Sequence, residues 1–161
     1  MEACSYEEKV VEYLKKNALH IAFAESCTGG LACANLVSVS GASSVLSESY
    51  VAYAVKSKVN LLGVKADTIE KYGVVSEEVA REMAKGATEK SGAEIGVGIT
   101  GFAGPRGEND EKEVGTVCFG ACINGALYSK TVCFGEIGRN EVRKEAAKYV
   151  FSMLNSLFSQ N

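Results

Sequence analysis

Ser26, Cys27 and Thr28 stand in a row between an apolar run at 20–24 and a glycine pair, Gly29 and Gly30, that opens a helical pattern. A strand, a tight turn and a helix in that order can present a nucleophile, or cradle a phosphate on backbone N–H groups. Activation by histidine is excluded by position: the single histidine, His20, begins the apolar run, and six extended residues put it roughly 20 Å from Ser26. Zinc-hydrolase spacings are absent, and the glycines lack both the Gly-Lys-Ser/Thr ending of a Walker loop and a G-x-G-x-x-G. A purely structural reading of the stretch competes, in which Ser26 or Thr28 caps the helix and the glycines permit a sharp turn.

A serine without histidine needs another base. A lysine kept neutral by desolvation and positive surroundings can take its proton, which requires a pKa several units below ~10.4. The stretch "YVAYAVKSKVN" offers Lys56 and Lys58, with Tyr53 as a proton relay. Spacing alone does not choose between the lysines. Cys27 is a rival nucleophile, because a helix N-terminus lowers a thiol pKa, but it too has no histidine to act as base.

The elements that must position these groups follow from periodicity and turn signals. A capping box at Ser5 and Glu8 starts a helix over 6–17. A strand at 20–24, a helix at 30–39, a strand at 45–53 and a short helix at 54–62 come next. Asp67 caps a helical turn, and Ser76 opens a longer helix with Val79, Met83 and Ala87 on one side. The strand at 93–100, "AEIGVGIT", alternates glycine on one face, which calls for close approach by another element or a ligand. After a polar loop at 101–114, strands at 115–123 and 127–134 form a hairpin through Asn124-Gly125, and a helix at 140–158 ends the pattern. This alternation predicts an α/β fold: three α/β/α layers around a mixed, mostly parallel sheet of about five strands, one of them antiparallel. Ligands in such sheets bind beyond the carboxyl ends of the parallel strands, which selects the turns after Ala24 and Ile99.

A chain of 161 residues fits one domain, 1–161. No apolar run approaches the ~20 residues that cross a bilayer, and the acidic start is unlike a secretory signal, so a cytoplasmic protein without a membrane partner is expected. Most of the six scattered cysteines read as buried thiols, with no metal site expected because Cys118 and Cys122 lack a partner pair. A net charge of −3 with 17 Lys and Arg gives no broad basic footprint for nucleic acid.

The segments "AESCTGG", "GASS", "YAVKSKVNLLGV", "YGVVSEEVAREMA", "GITGFAGPRGENDEKEVGTV" and "GRNEVR", in that order over about 6–158, resemble the C-terminal domain of the competence/damage-inducible CinA family. Stand-alone members of that family include nicotinamide mononucleotide amidohydrolase. The resemblance implies hydrolysis of the carboxamide of nicotinamide mononucleotide to nicotinate mononucleotide and ammonia, in pyridine nucleotide recycling, with no cofactor. It makes Ser26 the nucleophile and Lys58, not Lys56, its base, with Tyr53 assisting. Backbone groups near Cys27, Thr28, Gly29 and Gly30 then serve the substrate, Ser43 supplies an active-site hydroxyl, and Thr100 and Gly101 match the "GITG" turn. Arg139 is a phosphate partner, since guanidinium forks pair well with phosphate oxygens. The expected partners are a small pyridine nucleotide and further copies of the chain, as a dimer or higher homo-oligomer. Four positions depart from the pattern: Ala42 within the usual Gly-Ser-Ser, Val55 in place of asparagine, Arg106 in the run after Pro105, and Ile137 where aspartate is common. The alternative is a nucleotide-binding module without catalysis that uses the same glycine turns and Arg139.

Overall fold

The computed structural model describes residues 3–160; residues 1, 2 and 161, at the ends of the expected domain, lie outside the described residues. Ser5 caps α1 (Tyr6–Lys16) with its Oγ on the Glu8 N–H, and Glu8 returns a bond to the Ser5 N–H. Five strands follow: β1 (Ile21–Glu25), β2 (Leu46–Val51), β3 (Ile95–Gly101), β4 (Thr116–Ile123) and β5 (Ala126–Cys133). They lie in the order β2-β1-β3-β4-β5. β1 is parallel to β2 and β3, whereas β4 is antiparallel to both β3 and β5. Four strands therefore share a direction and β4 alone opposes them, as the pattern predicts. Asn124 and Gly125 turn the β4–β5 hairpin with φ of 48° and 87°, the double positive φ of a type I′ turn.

The remaining helices are α2 (Leu31–Val37), α3 (Val55–Leu62), α4 (Ala66–Tyr72), α5 (Glu77–Ser91) and α6 (Arg139–Phe158). Strand alternation divides the core in two. Ile21, Phe23, Val97, Ile99 and Phe119 pack with Leu14, Leu36, Val150 and Phe151 of α1, α2 and α6. Ala22 and Ala24 pack with Leu62, Val79 and Met83 of α3 and α5. Ser76 caps α5 through the Val79 N–H, as expected. Asp67 does not cap α4: the N-cap position is Lys65, without a side-chain cap, and Asp67 lies in the first turn, where its carboxylate suits the helix dipole. Among the described residues, no helix is long and apolar enough to cross a membrane.

The alternating glycines are a seat for α5. A Cβ on Gly96 would lie 2.1 Å from the Ala84 carbonyl oxygen, and one on Gly98 2.1 Å from that of Ala80. Gly120 of β4, directly across from Gly98, would put a Cβ 2.2 Å from the same Ala80 oxygen. Backbone blocks the space, so a methyl group there must push α5 off the sheet. Gly98→Ala is expected to lower the unfolding free energy by about 2–3 kcal/mol, read as a reduced urea midpoint; an unchanged midpoint would refute this account of the glycines.

Candidate active site

The carboxyl ends of β1 and β3 lie side by side, with Glu25 paired to Ile99 and the Ser26 N–H on the Ile99 carbonyl at 2.9 Å. At this end the alternation of β1 separates two polar side chains. Glu25 faces the α2 layer, fully buried, and its two oxygens accept from the Ala32 N–H at 2.9 Å and the Cys33 N–H at 3.0 Å. The cap of α2 thus comes from the preceding strand, not from Ser26 or Thr28. Gly30 holds the N-cap position with φ 101° and no side-chain bond. This also corrects the phosphate-cradle reading of Gly29 and Gly30, because the first-turn donors are already taken by a carboxylate. Gly29, at φ 59°, closes the turn instead, with its N–H on the Ser26 carbonyl at 3.0 Å.

Ser26 faces the other way, toward α3. Lys58 Nζ donates to Ser26 Oγ, to the Ala52 carbonyl and to the Tyr53 carbonyl, each at 2.9 Å. Lys58 is 1% exposed whereas Lys56 is in solvent, so the fold makes the choice that spacing left open. No carboxylate among the described residues forms an ion pair with Lys58. Burial holds its pKa below the ordinary 10.5, against a smaller opposing pull from the Cys27 sulfur. The coordination explains what a neutral amine would do. Its two N–H bonds satisfy the two carbonyls, and the remaining lone pair points at Ser26 Oγ.

Cys27 behaves differently. Burial, reinforced by Glu25, pushes its thiol up to about 12, which weighs against a thiolate nucleophile near neutrality. Its sulfur lies against Gly101, where a Cβ would approach Sγ to 2.9 Å.

Ser26, Cys27, Tyr53, Lys58, Thr100, Gly101 and Arg139 line one cavity of about 210 Å³, together with Val55, Val74, Val75, Phe102 and Ala103. Thr100 Oγ1 donates to the Val74 carbonyl at 2.9 Å and fixes that wall. Tyr53 is placed otherwise than a relay requires. Its hydroxyl accepts from Arg139 Nη2 at 3.0 Å, and it is the Tyr53 carbonyl that meets Lys58. Arg139 also donates to the Gly104 carbonyl, so it spans the cavity mouth. Thr28, Gly29 and Gly30 form the turn behind the cavity and are not among its lining residues. Ser43 stands apart from this cavity within the chain. It is exposed, in the 3-10 turn Ala42–Ser44 before β2, and the length of β2 separates it from the carboxyl ends of the strands.

Two residues were missed by the sequence reading. Glu25 shares the odd-numbered phase of Ile21 and Phe23, which already pointed it at α2. Arg143 lies one helical turn beyond Arg139. Its Nε donates to the Cys27 carbonyl at 2.8 Å, Nη2 to the Thr28 carbonyl at 3.3 Å, and Nη1 to Asn140 Oδ1 at 3.1 Å.

Residues 3–158 match the family model of the CinA C-terminal domain. A CinA-like protein of Kosmotoga olearia is 45% identical over 150 residues, covering 93% of this chain and 36% of the relative. A CinA-like protein of Chlorobaculum tepidum is 47% identical over 148 residues, with 88% and 35% covered. The chain therefore spans about a third of the length of the curated relatives it matches. Among solved structures, the competence/damage inducible protein CihA from Agrobacterium tumefaciens superposes with a TM-score of 0.89 at 35% identity, covering 94% of this chain and 93% of that one. A CinA superfamily protein from Escherichia coli gives 0.90 at 31% identity, with 94% and 88% covered. By sequence and by fold, the chain belongs to the CinA family, through its C-terminal domain.

Proposed function

We propose that the chain is a serine amidohydrolase that cleaves the carboxamide of nicotinamide mononucleotide. The observation that carries this reading is the buried contact of 2.9 Å between Lys58 Nζ and Ser26 Oγ, with no carboxylate among the described residues paired to the lysine to hold it charged. Lys58 takes the Ser26 proton as Oγ attacks the amide carbon. The resulting ammonium then protonates the amide nitrogen, the C–N bond breaks, and ammonia leaves behind an ester on Ser26. Water, deprotonated by Lys58, attacks the ester; nicotinate mononucleotide departs and Oγ regains its proton. The N–H of Cys27, a residue of the cavity wall, donates to no oxygen among the described residues and is available for the negative charge on the tetrahedral oxygen.

The cavity volume supports a substrate entering by one end. About 210 Å³ is less than the ~300–1,000 Å³ that encloses a drug-sized ligand, so the pyridine carboxamide fills it between Val55, Val75 and Phe102. Ribose and phosphate then extend to the mouth, where Arg139 is the anion partner. An ammonia-release assay over nicotinamide mononucleotide, nicotinamide riboside, nicotinamide and the dinucleotide tests this. The mononucleotide is expected to be hydrolysed fastest, and Arg139→Ala to raise its KM about tenfold while sparing the riboside. Calorimetric binding without ammonia from any of the four would instead leave a nucleotide-binding module.

A further inference from the structure

We infer that Arg143 is a positioning residue that locks the Ser26 turn in its reactive shape, an inference that rests on Ser26 being the nucleophile. One guanidinium holds two successive peptide units, through the Cys27 carbonyl at 2.8 Å and the Thr28 carbonyl at 3.3 Å. A trans peptide is planar with its N–H opposite its C=O. Fixing the Cys27 carbonyl on α6 therefore fixes the Thr28 N–H facing away from α6. Fixing the Thr28 carbonyl likewise fixes the Gly29 N–H, which closes the turn on the Ser26 carbonyl at 3.0 Å.

At the Thr28 carbonyl the guanidinium is joined by the Leu31 N–H, which donates at 3.1 Å. The backbone bonds of Ser26 and Gly29 tie the two ends of the turn, Glu25 holds α2 beyond it, and among the described residues Arg143 alone reaches the Cys27 carbonyl. The glycine belongs to the same device: a Cβ on Gly29 would lie 3.2 Å from Arg143 Nη2, so a side chain there would crowd the guanidinium. Arg143 is in turn set by Asn140 Oδ1 at 3.1 Å. It is absent from the cavity wall, which separates it from Arg139 and from any contact with substrate. A lysine cannot replace it, because a single ammonium lacks the planar fork that spans two carbonyls.

The test reads the reactivity of Ser26 without relying on a substrate. A fluorophosphonate is attacked by Ser26 Oγ, the P–F bond breaks, fluoride leaves and Lys58 takes the proton. Arg143→Ala is expected to slow this labelling about 10²-fold, the scale of a modest misplacement of reacting groups, and Arg143→Lys to recover little. Added guanidinium ion should accelerate the alanine variant and leave wild type unchanged. Exchange of the Gly29 amide should quicken in the alanine variant while α6 amides stay protected. If α6 protection is lost, the lysine variant carries the same comparison. Labelling at the wild-type rate in a folded variant overturns the inference. So does slowed labelling with neither faster Gly29 exchange nor guanidinium rescue, and so does a wild type unlabelled at Ser26. Ammonia release measured in parallel separates the two readings: a wild type labelled at Ser26 but inert toward every pyridine nucleotide sinks the substrate and leaves Arg143 in place.

Discussion

Ser26→Ala is expected to lower kcat for ammonia release from nicotinamide mononucleotide by about 10⁴-fold or more, and Lys58→Met to do the same. Groups that act as one unit lose nearly everything when either is removed, since the residual rate comes from binding and oxyanion contacts alone. The two variants should also fail together, with the double variant no slower than either. Folding is not the cause of the loss. Methionine leaves the Ala52 and Tyr53 carbonyls without a donor, but it also removes a buried amine and its desolvation cost, and these effects oppose each other. The pH profile gives an independent check. Lys58 must be neutral to accept a proton, so kcat/KM rises with pH through its pKa, which lies below 10.5 because of burial. Stability moves in the same direction. Between the folded pKa and the unfolded value, the unfolded chain binds a proton that the native state lacks, so stability rises with pH across that window and is flat below it. Lys58→Met should abolish that slope. Folded Ser26→Ala and Lys58→Met proteins that release ammonia at the wild-type rate would remove the dyad altogether.

How much of this site could be read beforehand depended on whether direction was encoded locally. Ser26 was legible because a strand, a turn and a helix succeed one another at 20–39. Lys58 could have been separated from Lys56 by helical phase, since it falls four residues before Leu62 and the two are the buried residues of α3. Glu25 was legible too, because its strand phase, shared with Ile21 and Phe23, placed it under α2. Ser43, matched by its motif, lies away from the Ser26 cavity of its own chain. A motif carries no information about which end of β2 it occupies relative to the site. The hydroxyl of Tyr53 was beyond reach, because a side chain in a strand-to-helix link takes its direction from what lies opposite, here Arg139 from a helix 86 residues on. The glycines of β3 left helix and ligand equally open. Gly120, set across from Gly98 by the antiparallel register, widens a single gap into a groove, and that register exists only once β3 and β4 are paired.

Glu25→Ala is expected to destabilise the fold by about 3–5 kcal/mol, with Glu25→Gln near 2 kcal/mol, both read from urea unfolding. The alanine leaves the buried N–H of Ala32 and the half-buried N–H of Cys33 without acceptors, at about 1–3 kcal/mol each, and adds a void where the side chain stood. Glutamine fills the space, but only its oxygen can accept, and its NH₂ confronts the second N–H. Exposed caps cost only ~1 kcal/mol when removed, so the size of the loss distinguishes a buried cap from an ordinary one. The consequence for chemistry follows from connectivity. Ser26 and the turn to Gly29 are slung between Glu25 and α2, and loosening α2 frees the far end of that turn. Glu25→Gln should therefore lower kcat more than it changes KM in protein that is still folded. A variant with a wild-type urea midpoint would show that the carboxylate does not hold α2. One that is destabilised but fully active would show that the Ser26 turn is held by Arg143 and the Lys58 contact without help from the helix.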